Sequence, residues 1–461
     1  MHLGIGAFHR AHQAEFTEDA VAATGEDWGI CGVTQRSESV VHQLAPQDGL
    51  YTVATRNGHH EALRVVGVVR EVKWALGDLE AVLDRMAAPS TTVITITVTE
   101  KGYRHDPASR RLRPHDPEIA ADLQGRAPRT VIGQLVEALE RRYRGGGAPL
   151  TILCCDNLPA NGHLLSELVR EFAGRRYGGD RLTAWVEENV RFPCTMVDRI
   201  VPATTAEDRT GISARLGVRD EGAVVTEPFR QWVIEDDFRA ARPRWDLAGA
   251  VLTVDVRPYE QIKLRLLNGG HSTIAYLGAL AGYEFVADAV AGPLLGVVRG
   301  LMSQEVAPTL EVPEGFDLAA YQEDLLRRFA NRALRHRTLQ IAMDGSQKLP
   351  QRLLATVLNR HAAGAEATLA TLGVAAWMRF VSARRSDAGR ALTIDDPLAD
   401  AIADRLAGRQ NPAQVVAALL SLREIFSEEL ASDNVFRDTL VEQLKMLTRD
   451  GAEMTARQLQ A

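Results

Sequence analysis

Lysine is the residue type that this chain lacks most clearly. Of its 53 basic residues, 48 are arginine and only five are lysine. The five lysines are Lys73, Lys101, Lys263, Lys348 and Lys445. Arginine keeps its proton at every working pH, whereas a lysine amine can lose its proton in a suitable environment. A surviving lysine therefore marks a position that needs a compact or deprotonatable amine. Chance survival explains Lys73 and Lys445 equally well.

Cysteine is also scarce, which excludes a disulfide framework. The four cysteines are Cys31, Cys154, Cys155 and Cys194, and their settings are apolar. They are expected to be reduced core thiols, which favours a cytoplasmic protein. The adjacent pair Cys154 and Cys155 lacks the C-x-x-C spacing of a metal knuckle, so neither zinc nor another metal is expected.

Long apolar runs and an excess of positive charge are missing as well. No uncharged apolar stretch approaches the length of about 18 residues that a membrane span needs, and no signal-peptide pattern opens the chain. The net charge is −7, with no basic excess to indicate a nucleic-acid partner. No exposed heptad or apolar stripe indicates an oligomer, and the sequence leaves the oligomeric state open; a monomer that acts on a small molecule is the expectation, which the family resemblance described below implies.

The hydrophobic pattern predicts two domains, as the length of 461 residues also suggests. The first part alternates strand-like runs at 28–33, 65–69, 91–99 and 148–155 with an amphipathic helix at 131–144. This alternation is typical of an α/β domain with a Rossmann-like parallel sheet, and we place it at 1–256. The remainder, 257–461, carries helical periodicity and predicts a mainly α-helical domain. The default active site is a cleft between the two domains.

The N-terminal stretch LGIGAFHRAHQ (3–13) contains a G-x-G pair that hints at a dinucleotide turn. Gly4 and Gly6 would let the chain turn under a pyrophosphate, with the amides of Ala7 and Phe8 facing it at a helix start. The pair is weak by itself, because His9 replaces the third glycine of the usual motif. Few residues precede the pair, so whether the native chain extends upstream of Met1 stays open.

A polar stripe stands out in the second part. In a helix that advances about 100° per residue, one arc of about 140° holds four polar side chains: Glu260, Lys263, Asn268 and His271. Gly269 and Gly270 inside this helix predict the close approach of a ligand or another backbone. A solvated surface stripe is the alternative, but the apolar residues on both sides favour a helix beside a cleft.

KLRLLNGGHS (263–272) resembles the K-x-x-x-x-N-x-x-H signature of the mannitol dehydrogenase family, the polyol-specific long-chain dehydrogenases. Further stretches resemble that family in the same order along the chain: LGIGAFHRAHQ (3–13), TVTEKGY (97–103), CDNLPANG (155–162), FPCTMVDRIVPATT (192–205), EPFRQWVIED (227–236) and MDGSQKLPQR (343–352). Together they cover most of the chain, and the ordered set is far more specific than any one motif.

The resemblance implies hydride transfer between a ketose and a secondary alcohol with a nicotinamide cofactor. Lys263 would be the general base in oxidation and the acid in reduction, with a pKa lowered by its surroundings. Asn268 and Asn157 would donate to the reacting oxygen, although Asn161 competes with Asn157 for this role. His271 would orient Lys263 or a substrate hydroxyl, and Glu260 would relay protons to solvent. A core histidine and an ordinary helix-terminal acid are the alternatives.

The family mainly uses NAD, although Arg36 after the second strand leaves NADP open and Glu38 stands nearby. Thr99 and Glu100, at another strand end, are further cofactor candidates. Within the family the motifs look most like those of fructuronate reductases, which implies reduction of D-fructuronate to D-mannonate. Mannitol 2-dehydrogenase, tagaturonate or another polyol activity, and a non-catalytic relative are the alternatives. The cations expected to bind a substrate carboxylate are Lys348, Arg337, Arg352 and Arg230.

Overall fold

The computed structural model describes residues 1–58, 60–106 and 109–460. The chain forms two compact units, Met1–Arg257 and Pro258–Ala461. All strands of the described residues lie in the first unit: β1 His2–Leu3, β2 Ile30–Thr34, β3 Tyr51–Asn57, β4 His60–Val66, β5 Val69–Trp74, β6 Val93–Ile96, β7 Leu150–Cys154, β8 Val190–Arg191, β9 Thr195–Asp198, β10 Val224–Thr226, β11 Gln231–Glu235 and β12 Val251–Thr253.

Six of these strands form one parallel sheet in the order β5-β2-β1-β6-β7-β8. The central strand β1 is only two residues long, yet it pairs on both sides, with His2 opposite Gly32 and Thr95. The chain order along the sheet reverses at β1 and β6. In open parallel sheets, ligands bind outside the carboxyl ends of the strands at this reversal. The predicted Rossmann-like sheet is therefore confirmed.

Two smaller sheets complete the first unit. In one, β3 pairs with β4 antiparallel and with β10 parallel; in the other, β11 pairs with β9 antiparallel and with β12 parallel. The expected single strand at 65–69 is wrong, because β4 ends at Val66 and β5 begins at Val69 in a different sheet. Gly67 and Val68 separate the two, so the apolar run belongs to two strands.

The first unit also contains nine helices among its described residues: α1 Ala7–Arg10, α2 Gln13–Thr24, α3 Ser39–Leu44, α4 Leu79–Ala87, α5 Pro117–Leu123, α6 Val131–Arg144, α7 Asn161–Tyr177, α8 Asp180–Asn189 and α9 Ala206–Leu216. Helix α6 has the predicted bounds. It begins where the Thr130 side chain accepts from the Gly133 amide, and its apolar face lies in the core that also contains Ile94, Ile96 and Ile152. Short 3₁₀ turns are Ala45–Gln47, Glu100–Tyr103 and Trp245–Ala248.

The second unit is helical, as predicted: α10 Arg257–Ile262, α11 Gly269–Ala281, α12 Val286–Ala289, α13 Leu294–Gly300, α14 Leu318–Phe329, α15 Thr338–Ala342, α16 Gly345–Leu349, α17 Ala355–Ala362, α18 Thr368–Ala383, α19 Ala399–Leu406, α20 Pro412–Leu420, α21 Glu428–Ser432 and α22 Asn434–Gln458. Turns of π-helix occupy Lys263–Asn268, Leu301–Val306 and Pro350–Leu354, and 3₁₀ turns occupy Ala307–Thr309 and Arg332–Leu334. None of the helices described here has the length and apolar character that crossing a membrane requires.

Candidate active site

The turn after β1 has the geometry of a dinucleotide-binding loop. Gly4 has a φ of 99°, and a Cβ at this position would overlap the carbonyl oxygen of Thr97 next to β6. The Gly6 amide donates to the Gly4 carbonyl at 2.6 Å, and α1 begins at Ala7. The first amides of a helix have no acceptor within that helix and attract anions. Strand, tight turn and helix start therefore follow one another as a pyrophosphate site requires.

His9 and Arg10 stand where the usual motif has its third glycine. The buried His9 ring stacks on His2 of β1, with ring centroids 3.4 Å apart. The Arg10 side chain donates to the carbonyl of Gly222, while the Tyr51 hydroxyl donates to the Arg10 carbonyl at 2.8 Å. In this protein the stacked rings of His9 and His2 stand in place of the close contact between helix and strand that a third glycine would allow.

At the end of β2, exposed Arg36 lies in the turn that would receive the adenosine ribose of a dinucleotide. No acid follows β2 directly, and Glu38 lies 3.6 Å from the ring of His42. Among the described residues the Gln35 side-chain amide nitrogen is buried and has no hydrogen-bond partner. A ribose or phosphate oxygen would satisfy such a donor.

Asp156 joins the ends of β6 and β7. Its carboxylate accepts from the amides of Val98 and Thr99, each at 2.9 Å, and from the Tyr103 hydroxyl at 2.7 Å. Burial raises the pKa of Asp156 to about 6, against the three hydrogen bonds. Thr99 has a φ of 68°, a strained conformation for a β-branched residue, and Glu100 follows it. The loop after β6 is thus held in place by one acid that the sequence did not single out.

The two asparagines of CDNLPANG have different surroundings. Asn161 is buried; its side chain donates to the carbonyls of Asp156 and Thr195 and accepts from the Thr195 amide. These bonds give Asn161 a structural task at the start of α7. Asn157 is exposed at the carboxyl end of β7. The choice of Asn157 as the substrate-binding amide stays a prediction.

In the second unit, the predicted continuous α-helix through Lys263 is wrong in one turn. Residues Lys263–Asn268 form a π-helix between α10 and α11. A π-helix bonds residue i to i+5 and so brings side chains five apart toward the same face, and such turns often occur at functional sites. Lys263 and Asn268 are five residues apart. The π-helical turn therefore separates their side chains by a smaller angle around the helix axis than an α-helix would. Lys263 is 5% exposed, and Asn268 and His271 are each 7% exposed.

The glycine pair allows the close approach that the sequence predicts. A Cβ on Gly269 would lie 2.8 Å from the backbone oxygen of Arg352. A Cβ on Gly270 would lie 3.0 Å from the Met302 methyl and 3.3 Å from the Phe329 ring. Three neighbouring segments therefore pack directly against the backbone of α11: the turn with Arg352, the turn with Met302, and α14 with Phe329.

His271 is held neutral. Burial lowers its pKa well below 6.5, and the positive charges of Arg328, Arg352 and Lys263 lower it further, as does neighbouring His336. The ring lies 4.5 Å from that of Phe329 and 5.3 Å from that of His336. A neutral imidazole has one donor and one acceptor nitrogen, so His271 can orient a neighbour without carrying charge.

Two buried polar atoms of this cluster have no partner among the described residues: Asn268 Nδ2 and His271 Nε2. Buried polar atoms are nearly always hydrogen-bonded, and unpaired ones mark strain, ordered water or a ligand. Both atoms belong to residues that the sequence assigned to substrate. Hydrogen bonds between these two atoms and an oxygen-rich ligand would remove the free-energy cost of leaving the atoms buried and unpaired.

The predicted carboxylate-binding cations have unequal positions. Arg352 is 8% exposed and donates to the Ser272 hydroxyl at 3.1 Å. Lys348 donates to the carbonyl of Met343 at 2.5 Å, and together with burial it lowers the pKa of His336 to about 4. Both cations therefore act on the surroundings of His271, since Arg352 and His336 each lower its pKa.

The other predicted site residues are placed elsewhere. Arg337 is exposed and lies 3.3 Å from Glu284. Arg230, in the first unit, lies 2.5 Å from Asp19 and stacks on the Phe16 ring at 4.4 Å. These contacts favour structural roles for both arginines. Glu260 is half-buried on α10, directly before the π-helical turn.

The sheet order and the glycine turn define a dinucleotide-binding α/β protein with a separate helical unit. Two family models match the chain: "Mannitol dehydrogenase Rossmann domain" at residues 1–247 and "Mannitol dehydrogenase C-terminal domain" at residues 255–448. The chain belongs to the mannitol dehydrogenase family.

Among its relatives, the chain is 45% identical to the D-mannonate oxidoreductase of Escherichia coli over 98% of this chain and 93% of the other. It is 44% identical to the Escherichia coli protein named "Uncharacterized oxidoreductase YeiQ", over 98% of this chain and 92% of the other. The Pseudomonas fluorescens mannitol 2-dehydrogenase, solved as a ternary complex with NAD and D-mannitol, matches with a TM-score of 0.91 at 36% identity, over 99% and 93%. Identity alone does not separate a mannonate enzyme from its relatives.

Proposed function

We propose that this chain is an NAD-dependent oxidoreductase that interconverts D-fructuronate and D-mannonate. The observation that carries the proposal is the buried cluster of Lys263, Asn268 and His271, with two unpaired polar atoms inside it. The similarity to D-mannonate oxidoreductase supports the substrate, and the NAD complex of the mannitol 2-dehydrogenase supports the cofactor. Buried Arg352 and half-buried Lys348 favour an anionic substrate over a neutral polyol, because a carboxylate needs cations to replace its water.

The first unit fits a nicotinamide dinucleotide. The Gly4 turn and the amides of Ala7 and Phe8 would hold the pyrophosphate, and the turn at Gln35 and Arg36 would hold the adenosine ribose. The loop of Thr99 and Glu100, fixed by Asp156, would flank the cofactor. When bound, the nicotinamide supplies the hydride in reduction and receives it in oxidation.

The reaction also needs a proton and a stabilised oxygen, and the helical unit supplies both. Reduction of a ketone by hydride leaves an alkoxide-like oxygen, to which the Lys263 ammonium donates its proton. In oxidation the neutral amine takes that proton back. Asn268 Nδ2 donates to the same oxygen as its charge grows, and Asn157 is the proposed second donor.

His271 and Glu260 would serve Lys263. The neutral His271 ring is suited to orient either the amine or a substrate hydroxyl. Glu260, one turn earlier, would pass protons between Lys263 and solvent. Arg352 and Lys348 would balance the substrate carboxylate.

The substrate is tested by assaying D-fructuronate, D-tagaturonate and fructose in parallel, each with NADH and with NADPH. We expect the highest kcat/KM with D-fructuronate and NADH. A much higher kcat/KM on fructose would contradict the uronate assignment and favour mannitol 2-dehydrogenase activity. Preference for NADPH would instead assign a 2′-phosphate contact to Arg36.

The acid–base role is tested by Lys263→Ala, with Lys445→Ala as the matched control. Lys445 is exposed on α22, 2.6 Å from Glu442, so its loss should leave turnover unchanged. Lys263→Ala should lower kcat by about 10²–10⁴-fold, the usual contribution of a general acid–base group. NADH affinity, measured by fluorescence, should stay the same. Retained turnover in Lys263→Ala would refute the assignment.

A further inference from the structure

Three metal-ligating side chains meet in the first unit at a place that the proposed reaction does not use. They are His163, Cys194 and Glu235. A ring nitrogen of His163, the Sγ of Cys194 and a carboxylate oxygen of Glu235 all lie within 4.8 Å of one another. The three residues belong to different elements: the start of α7, the residue before β9 and the end of β11. We define them as the HCE cluster.

Backbone pairing holds two members of the HCE cluster together. Strands β9 and β11 are antiparallel, with Thr195 opposite Ile234. The ladder continues by one residue, because the Glu235 amide donates to the Cys194 carbonyl at 3.0 Å. The Cys194 amide in turn donates to Oε2 of Glu235 at 2.8 Å. A carboxylate has two oxygens, so Glu235 can accept this bond and still offer an oxygen to a cation.

The third member is fixed by its neighbours in sequence. Asn161 bonds both the amide and the carbonyl of Thr195 through its side chain. A Cβ on Gly162 would overlap the carbonyl of Phe192, so the start of α7 is packed against the segment that leads to Cys194. His163 follows directly, and its side chain is exposed while Cys194 is buried. The surroundings thus fix the three positions relative to one another without any metal.

We propose that the HCE cluster binds one divalent zinc-like cation, with water as the fourth ligand. Imidazole nitrogen, thiolate and carboxylate are all zinc ligands, at about 2.0–2.3 Å from the metal in tetrahedral geometry. That geometry places donor atoms about 3.3–3.8 Å apart, so each donor–donor distance, now at most 4.8 Å, would shorten by no more than about 1.5 Å on binding. The exposed His163 can do so by side-chain rotation. The thiolate disfavours magnesium and calcium, which take oxygen ligands.

Bound metal would add one further link between α7 and the β9–β11 ladder, next to the loop between β7 and α7. That loop contains Asp156, which holds the strand ends of the dinucleotide site, and Asn157, the proposed substrate donor. The cation would therefore support residues that other bonds already hold, and it would take no part at the reacting atoms. The sequence shows no metal spacing, because the ligands come from three separated segments.

The test uses the full-length protein, stripped of metal by chelator dialysis and titrated with Co²⁺ and then with Zn²⁺. We expect one equivalent of Co²⁺ to produce a thiolate-to-cobalt charge-transfer band, which Zn²⁺ displaces. Cys194→Ser should abolish the band, whereas Cys31→Ser, a buried cysteine in β2, should keep it. Absence of the band, or its persistence in Cys194→Ser, would overturn the proposal.

A second variant separates the loss of metal binding from a loss of folding. His163→Ala changes an exposed side chain and should leave the unfolding midpoint of the metal-free protein unchanged. Its Zn²⁺ affinity by calorimetry should fall by about 100-fold or more, since even residues behind the ligands cost 10–100-fold. Unchanged affinity in His163→Ala would refute the three-ligand site. Metal-free protein from each variant is also assayed for turnover, which the reaction assignment predicts to persist.

Discussion

Gly4 is the residue on which the dinucleotide turn depends most. Gly4→Ala would place a methyl group on the Thr97 carbonyl and require an L-residue at a φ of 99°. Strain of this kind costs about 1–3 kcal/mol, and forced overlap with backbone adds to it. We expect a clear fall in the urea midpoint of unfolding and at least several-fold weaker NADH binding. Fluorescence titration of the folded variant measures the second effect.

The matched control is Gly25→Ala. Gly25 also has a positive φ, 71°, at the end of α2, but a Cβ there meets no atom within 4 Å. This variant should lose only about 1 kcal/mol, the cost of the left-handed conformation, and bind NADH normally. Equal behaviour of the two variants would show that the contact with Thr97 has no role in the turn.

Single residues also show what a sequence can and cannot predict about a site. Gly4 and Gly6 are recognisable because the turn is local and needs glycine whatever surrounds it. Asp156 is not recognisable in this way, because its role is to accept hydrogen bonds from the amides of Val98 and Thr99, which follow another strand, β6. Asn157 and Asn161 look alike in sequence. Only the three bonds that Asn161 makes identify it as structural.

At the scale of elements, the junction of α11 with the turn Pro350–Leu354 depends on Gly269. Gly269→Ala would bring a methyl group to 2.8 Å from the Arg352 carbonyl and separate the two segments. Overpacking of this kind costs about 1–3 kcal/mol. Because Asn268 precedes and His271 closely follows Gly269, kcat should fall more than ten-fold. Urea unfolding and steady-state kinetics measure the two effects.

Gly174→Ala on α7 is the control for that variant. Gly174 also lies within a helix, and a Cβ there meets no atom within 4 Å. Alanine favours a helix by about 1 kcal/mol over glycine, so this variant should be slightly more stable and fully active. A loss of activity in Gly174→Ala, or none in Gly269→Ala, would contradict the packing argument.

Elements differ in how far local sequence determines them. Helix α6 keeps its predicted bounds because its apolar stripe, its Thr130 cap and its terminal glycines agree. The π-turn at Lys263–Asn268 was not predictable, since one extra residue in a turn barely alters the apolar periodicity. The hairpin of β3 and β4 was missed as well. Its local signal is the dipeptide Asn57-Gly58 at the end of β3, a pair typical of hairpin turns, whereas the pairing of β3 with distant β10 has no local signal.

Over the whole molecule, arginine provides nearly all of the positive charge and most ion pairs. The buried pair of Arg199 and Glu15 and the pair of Arg56 with Glu61 and Asp208 are examples. Lysine appears at two positions of the helical site, Lys263 and Lys348. Two of the five lysines of the chain thus belong to the candidate site of the helical unit.

The whole molecule should lose stability on mild acidification. Among the described residues, burial lowers the pKa of six histidines: to about 3 for His2 and His12, to about 4 for His336, well below 6.5 for His9 and His271, and below 6.5 for His105. In the unfolded chain these rings take up protons below about pH 6.5, whereas the folded protein excludes them. A lowered histidine pKa gives stability above pH 6.5 that is lost as the pH falls.

Each such ring costs up to about 1.4 kcal/mol per pH unit below pH 6.5, so the six together outweigh any single acid. Asp156 opposes them, because its raised pKa of about 6 makes the folded protein the better proton acceptor below that pH. Asp122 and Glu305, whose pKa values burial also raises, act in the same direction, so three acids oppose six histidines. Burial also lowers the pKa of the Met1 amine from 8.0 to about 6, so the urea midpoint should begin to fall below about pH 8 and fall steeply between about pH 6.5 and 5. A midpoint that stays level or rises on acidification would mean that the histidines are protonated in the folded protein, contrary to their burial.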